Sequence, residues 1–154
     1  MERKKNKRGK KVCGKKLTEK AGMAMKHEFY LEASWILSSM FERKLKKLLC
    51  LIENHAPGTG VTLEQSIKRV KYLHVSSKYP ALTSHLNVQT IDQIRAWKNQ
   101  RNEILKDMPG VHVSEVRMER LASDGVKLYK ELTKALKSFK SGDDFSGGEK
   151  NNGS

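Results

Sequence analysis

The stretch TIDQIRAWKNQRNEILKDM, residues 90–108, decides how this chain is read. Ile91, Ile94, Trp97, Ile104, Leu105 and Met108 recur at steps of three and four, which places them on one face of an α-helix. Arg101 interrupts that face at its centre, with Asn102 beside it. A guanidinium in an apolar stripe is costly unless a partner or a ligand meets it. Either Arg101 closes a buried ion pair, or the stripe opens there into a polar pocket. Thr90 is the expected N-cap, Asp92 suits the positive end of the helix dipole, and Pro109-Gly110 ends the helix.

Further helices flank this one. Upstream, LEASWILSSMFERKLKKLLCLIE (residues 31–53) carries Ala33, Ile36, Leu37, Met40, Leu45, Leu48 and Ile52 at helical spacing, with Trp35, Phe41 and Leu49 widening the stripe. Glu42, Arg43, Lys44, Lys46 and Lys47 crowd its second half. Most of these belong on a solvated face, whereas Glu42 lies at the stripe border and is placed to turn inward. Residues 17–30 give a helical turn or two. His55–Gly60 (HAPGTG) is a loop, and it lacks the Gly-Lys-Ser/Thr of a phosphate-binding loop. Thr62 caps a short helix with Glu64 and Gln65 in its first turn. Residues 76–89 form an irregular connection with one turn near Ala81–Leu86. Ser114 starts a long final helix in which Gly125 interrupts the apolar stripe and marks a close helix contact. No segment alternates apolar and polar residues, so the expected fold is all-α, a bundle of four to five helices over residues 17–140. Residues 1–16 read as a disordered basic arm and residues 141–154 as a flexible polar tail.

The 154 residues carry a net charge of +14, spread unevenly. Residues 1–20 hold ten Lys/Arg against two Glu, while residues 21–140 hold twenty against twelve acids. The excess is therefore not confined to a tail, and it favours a polyanion, nucleic acid before membrane, through phosphate neutralisation. Solubility with a basic tail is the plain alternative. The two cysteines, Cys13 and Cys50, fit no disulfide framework, and a reducing, cytoplasmic compartment follows. No apolar run reaches the roughly 18–20 residues that span a bilayer, and no apolar segment of signal-peptide type follows the basic N-terminus. The histidines at 27, 55, 74, 85 and 112 show no metal-ligand spacing, so neither metal nor cofactor is expected. Both tryptophans, Trp35 and Trp97, fall on apolar faces and are expected in the core.

The order FERKLKKLL (41–49), a variable middle, IDQIRAWKNQRNEILKD (91–107) and a long last helix resembles the HEPN superfamily. These helical domains occur in many toxin–antitoxin, abortive-infection and CRISPR-associated ribonucleases. Their signature is an Arg, usually followed by a polar residue, with a His four to six residues further on. Here Arg101 and Asn102 match, but the corresponding later positions are Lys106, Asp107 and Met108. The resemblance implies a homodimer and metal-independent RNA cleavage, in which the 2′-hydroxyl attacks the adjacent phosphate, the His moves protons and the Arg holds the phosphoryl oxygens. It also implies a toxin or phage-defence setting, with an antitoxin or nucleotidyltransferase as a candidate partner.

Arg101 suits the phosphate role, because its planar fork matches phosphate oxygens. Lys106 is no substitute for imidazole, since an exposed Lys has a pKa near 10.4 and is a poor base at neutral pH. The expected function is therefore RNA binding or regulation through an impaired ribonuclease site. Arg101, Asn102, Lys106 and Glu42 form its centre, and Arg43, Lys44, Lys47 and Lys98 are the flanking RNA-binding cations. The alternatives are an active metal-independent endoribonuclease and a protein-interaction or assembly module. A purely structural Arg101, paired with Glu42, is the competing account of the same residue.

Overall fold

A computed structural model describes residues 5–53, 60–110 and 113–141. Six helices follow one another: α1 (Lys5–Lys26), α2 (Tyr30–Glu53), α3 (Leu63–Val75), α4 (Pro80–His85), α5 (Val88–Asp107) and α6 (Glu115–Ser141). Among the described residues there are no strands, so the protein is all-α. The helix count exceeds the expected four to five because α1 is a full helix and the turn near Ala81–Leu86 closes as α4.

Helix α2 is the hub. It packs against α1, α3 and α6, while α5 lies against α3 and α6. Leu37, Phe41, Leu45 and Leu48 of α2 are almost wholly buried, and they meet Ile67 and Val70 of α3, Ile91, Ile94 and Trp97 of α5, and Leu132 of α6. Each such side chain contributes about 1.5–3 kcal/mol on burial, so this layer supplies most of the driving force. Phe41 is its centre. Its ring lies 5.2 Å from Trp97 and 5.6 Å, edge-on, from Tyr129.

Local chemistry sets the helix ends. Thr62 Oγ1 accepts from the Gln65 N–H (3.2 Å) while Gln65 Oε1 accepts from the Thr62 N–H (3.0 Å), a reciprocal capping box. The Ser114 hydroxyl accepts from Arg117 N–H at the start of α6. Between α1 and α2 the chain reverses at Glu28, whose φ of 62° is left-handed. The expected cap at Thr90 is displaced: α5 starts at Val88, because Asn87 Oδ1 accepts from the Gln89 N–H at 2.9 Å. Asn outranks Thr as an N-cap.

Two expectations on domain layout need revision or lie beyond the described residues. Helix α1 begins at Lys5, inside the stretch read as a disordered arm up to residue 16. Lys and Arg are good helix formers and no Pro interrupts them, so the basic run continues the helix that Ala21 and Ala24 anchor to the core. Residues 1–4, His55, His112 and residues 142–154 lie outside the described residues. Among the described residues, no helix is long and apolar enough to cross a membrane.

Candidate nucleic-acid interface

The cations of α5 meet different fates. Glu64, in the first turn of α3, gathers Arg95 (3.1 Å), Lys98 and Lys68 (3.9 Å) around one carboxylate. The hydrogen bond from Lys98 is the leading reason that this carboxyl sits below the ordinary glutamate range, with the nearby charges adding to it. Lys71 of α3 likewise pairs with Asp92 at 2.7 Å. These bonds lock α3 to the first half of α5. They also take Lys98, expected as a flanking RNA contact, out of contention: its side chain is only 12% exposed and tied to Glu64.

Arg101, one turn beyond Trp97, has no such partner. It is half-buried between α5 and α2, and its Nη1–H donates to the Ser38 hydroxyl at 3.2 Å. Among the described residues no carboxylate pairs with it. Burial pulls its pKa down from the usual guanidinium value. Glu42, the expected ion-pair partner, sits one turn along α2 from Ser38, but its carboxylate goes to Lys46 at 2.7 Å. The i,i+4 geometry explains the preference: the two side chains share one helix face and are held at contact range. A guanidinium carries five N–H donors, and one hydroxyl satisfies a single one of them.

The other expected site residues do not converge on Arg101. Asn102 and Lys106 are exposed. Lys106, five positions on, points about 140° around α5 from Arg101, so the helix itself separates them. On α2, Lys47 lies nine positions from Ser38, about half a turn away on the opposite face. Arg43 is exposed and about 140° from Ser38. Lys44 stands over the Tyr129 ring of α6 at 5.5 Å from its centroid. The basic run 43–47 is thus not a patch around Arg101. It fans around α2, and Lys44 and Lys47 line a cavity on the α6 side.

Two residues enter the site that sequence reasoning places elsewhere. Ser38 reads in the sequence as an unmarked polar position on α2. Trp35 is expected in the core, yet it is 60% exposed. It precedes Ser38 by three positions, close enough on a helix surface to neighbour it. The stripe of α2 is wider than its neighbours can cover: α1, α3 and α6 bury Leu37, Phe41 and Leu45 but leave Trp35 open. The signal in the sequence is Ser38-Ser39, polar positions beside Trp35 on one flank of the stripe.

Chemically, the unpaired N–H donors of Arg101 are free to meet an anion, and Trp35 presents an exposed aromatic face on α2. Among the described residues no imidazole hydrogen-bonds Arg101, and Lys106 is exposed and turned away from it. His74 donates its Nε2–H to Leu86 O at 2.7 Å between α3 and the end of α4. Among the described residues no group of three His, Cys, Asp or Glu side chains could hold a metal, and Cys50 is a free, exposed thiol. Comparison with protein-family models, curated proteins and solved structures finds no match for this chain.

Proposed function

We propose that this protein is a HEPN-like helical module that binds single-stranded RNA as a homodimer, without efficient cleavage. Arg101 holds a phosphate and Trp35 stacks a neighbouring base. The observation that carries the reading is the half-buried, carboxylate-free guanidinium, met by a single serine hydroxyl, with an exposed indole three residues before that serine on α2. A phosphate supplies the acceptors that Ser38 alone does not, in a bidentate geometry that arginine matches. Base stacking on an aromatic side chain is the usual complement to such a contact on single strands. The net charge of +14 adds long-range attraction.

The test is fluorescence anisotropy with a labelled single-stranded RNA over a salt series. Arg101→Ala should weaken binding on the order of tenfold and reduce the salt slope by about 0.7, the value for one phosphate contact on a single strand. Trp35→Ala should lower affinity by about 1–3 kcal/mol with little change in that slope. Thermal melts run alongside. A large fall in melting temperature for Arg101→Ala with unchanged affinity would instead make the guanidinium structural. Incubating RNA with the protein in EDTA should leave it intact. Fragments ending in cyclic phosphate, absent with Arg101→Ala, would establish a working ribonuclease. Light scattering checks the dimer.

A further inference from the structure

Helices α1 and α6 both pack on α2 but diverge from each other, and a cavity of about 610 Å³ opens between them. Leu37 and Met40 of α2 form its floor, Ala21 and Met25 one wall, and Val126 and Tyr129 the other. The α1 wall carries no charge among its lining residues, whereas the α6 rim carries Lys130, Lys134 and Lys137. A smaller cavity of about 110 Å³ lies against it, walled by Lys44 and Lys47 of α2 and by Lys137. The two share Thr133, whose buried Oγ1 has no hydrogen-bond partner.

From this layout we infer that the α1/α2/α6 groove is a binding site for a long-chain anionic amphiphile, its acyl chain in the large cavity and its carboxylate or phosphate head among the lysines of the α6 rim. The volume falls within the range of about 300–1,000 Å³ typical of small-molecule sites. Met25 and Met40 are unbranched and adapt their shape to a flexible chain. The lysines lie at one edge only, which suits a molecule with a single charged end. An acidic helix lying along the groove would call for cations on both walls, and a second copy of this strongly basic chain meets like charge at the rim. A carboxylate or phosphate between the rim ammonium groups accepts charge-assisted hydrogen bonds. This site is independent of Arg101, which lies on a different flank of α2.

Titration of the full-length protein with cis-parinarate, a fluorescent long-chain fatty acid, tests this. Palmitate and lysophosphatidate are the anionic competitors, and hexadecanol is the neutral one with the same kind of tail. Parinarate fluorescence should rise on binding, and palmitate or lysophosphatidate should displace it at least about tenfold more tightly than hexadecanol, the loss expected for one charge-assisted contact. Whichever of the two anions competes better identifies the head as carboxylate or phosphate. Gly22 lines the groove, and a Cβ added there would meet nothing within 4 Å, so Gly22→Leu projects its side chain into the groove and favours the helix. It should abolish parinarate binding without lowering the melting temperature. Lys134→Gln should weaken palmitate several-fold, and Arg101→Ala should leave it unchanged. The inference is overturned if hexadecanol competes as well as palmitate, or if folded Gly22→Leu still binds. It is equally overturned if the free protein forms a dimer that Gly22→Leu dissolves, because a second copy then occupies the groove.

Discussion

The close packing of Trp97 against α6 makes a sharp prediction at Gly125. The Trp97 indole lies against α6, donating its Nε1–H to the Leu121 carbonyl at 2.8 Å. Residue 125 follows Leu121 by one helical turn, so its side chain would project where the indole reaches that carbonyl. A Cβ there would sit 2.8 Å from Trp97 Cε2, Cζ2 and Nε1. Carbon atoms rest at about 3.5–4.0 Å, so the ring must retreat by about 0.7 Å. It has nowhere to go: Trp97 is 2% exposed, and Phe41 is packed close beside it. A shift of that size breaks the indole hydrogen bond. Overpacking costs about 1–3 kcal/mol and an unsatisfied buried donor about 1–3 more, against a gain of about 1 kcal/mol in helix propensity. Gly125→Ala should therefore destabilise by about 1–5 kcal/mol, lowering the melting temperature by about 2–4 °C for each kcal/mol. The assay is a double-mutant cycle by urea denaturation with Trp97→Phe. Phenylalanine lacks the Nε1–Cε2–Cζ2 edge of the indole that meets the new methyl, so in that background Gly125→Ala should be neutral or stabilising. A Gly125→Ala protein that melts higher than the parent would refute the packing argument.

Other perturbations have equally definite outcomes. Glu64 has a folded pKa below its unfolded value of 4.5, so its contribution to stability is present above that value and is lost as the pH falls through the folded one. Glu64→Gln should lower stability at neutral pH and flatten the acid limb of a denaturation-versus-pH curve below about pH 4.5. Ser66 is fully buried in α3 and its Oγ has no hydrogen-bond partner. Ser66→Ala should raise stability by about 1 kcal/mol in the same melts; a loss of that size would mean that the hydroxyl is satisfied in solution.

The helical fold is legible in the sequence because periodicity reports burial directly. Leu37, Phe41, Ile94, Trp97 and Leu132 all fall where three-and-four spacing puts them, and Gly125 announces the close contact that Trp97 fills. The Thr62 box is readable too, since its chemistry is contained in four residues. What the sequence withholds depends on which helices meet. Trp35 and Trp97 both fall on apolar faces of their own helices, but α6 and α2 cover Trp97 while Trp35 is left 60% exposed. Lys98 looks like a free cation until α3 brings Glu64 across 34 positions of sequence. The run of cations from Arg43 to Lys47 looks like a patch, but consecutive residues on a helix point about 100° apart. Lys44 and Lys47 accordingly serve the α6 side and not the Arg101 side.

The identity of the missing group at the Arg101 site has a measurable consequence. A phosphate site built around imidazole changes charge near neutrality, because histidine titrates there. A guanidinium, even one whose pKa burial has lowered, stays charged throughout that range. Its one described partner is the Ser38 hydroxyl, which does not titrate near neutrality. Glu42, the nearest acid along α2, is held by Lys46 and accepts nothing from Arg101. RNA affinity measured at constant ionic strength should therefore be flat from about pH 6 to pH 8.5 while falling steeply with added salt. A bell-shaped or sigmoidal profile centred near neutrality would require a histidine within reach of the bound phosphate, and with it the proton-transfer group that α5 lacks.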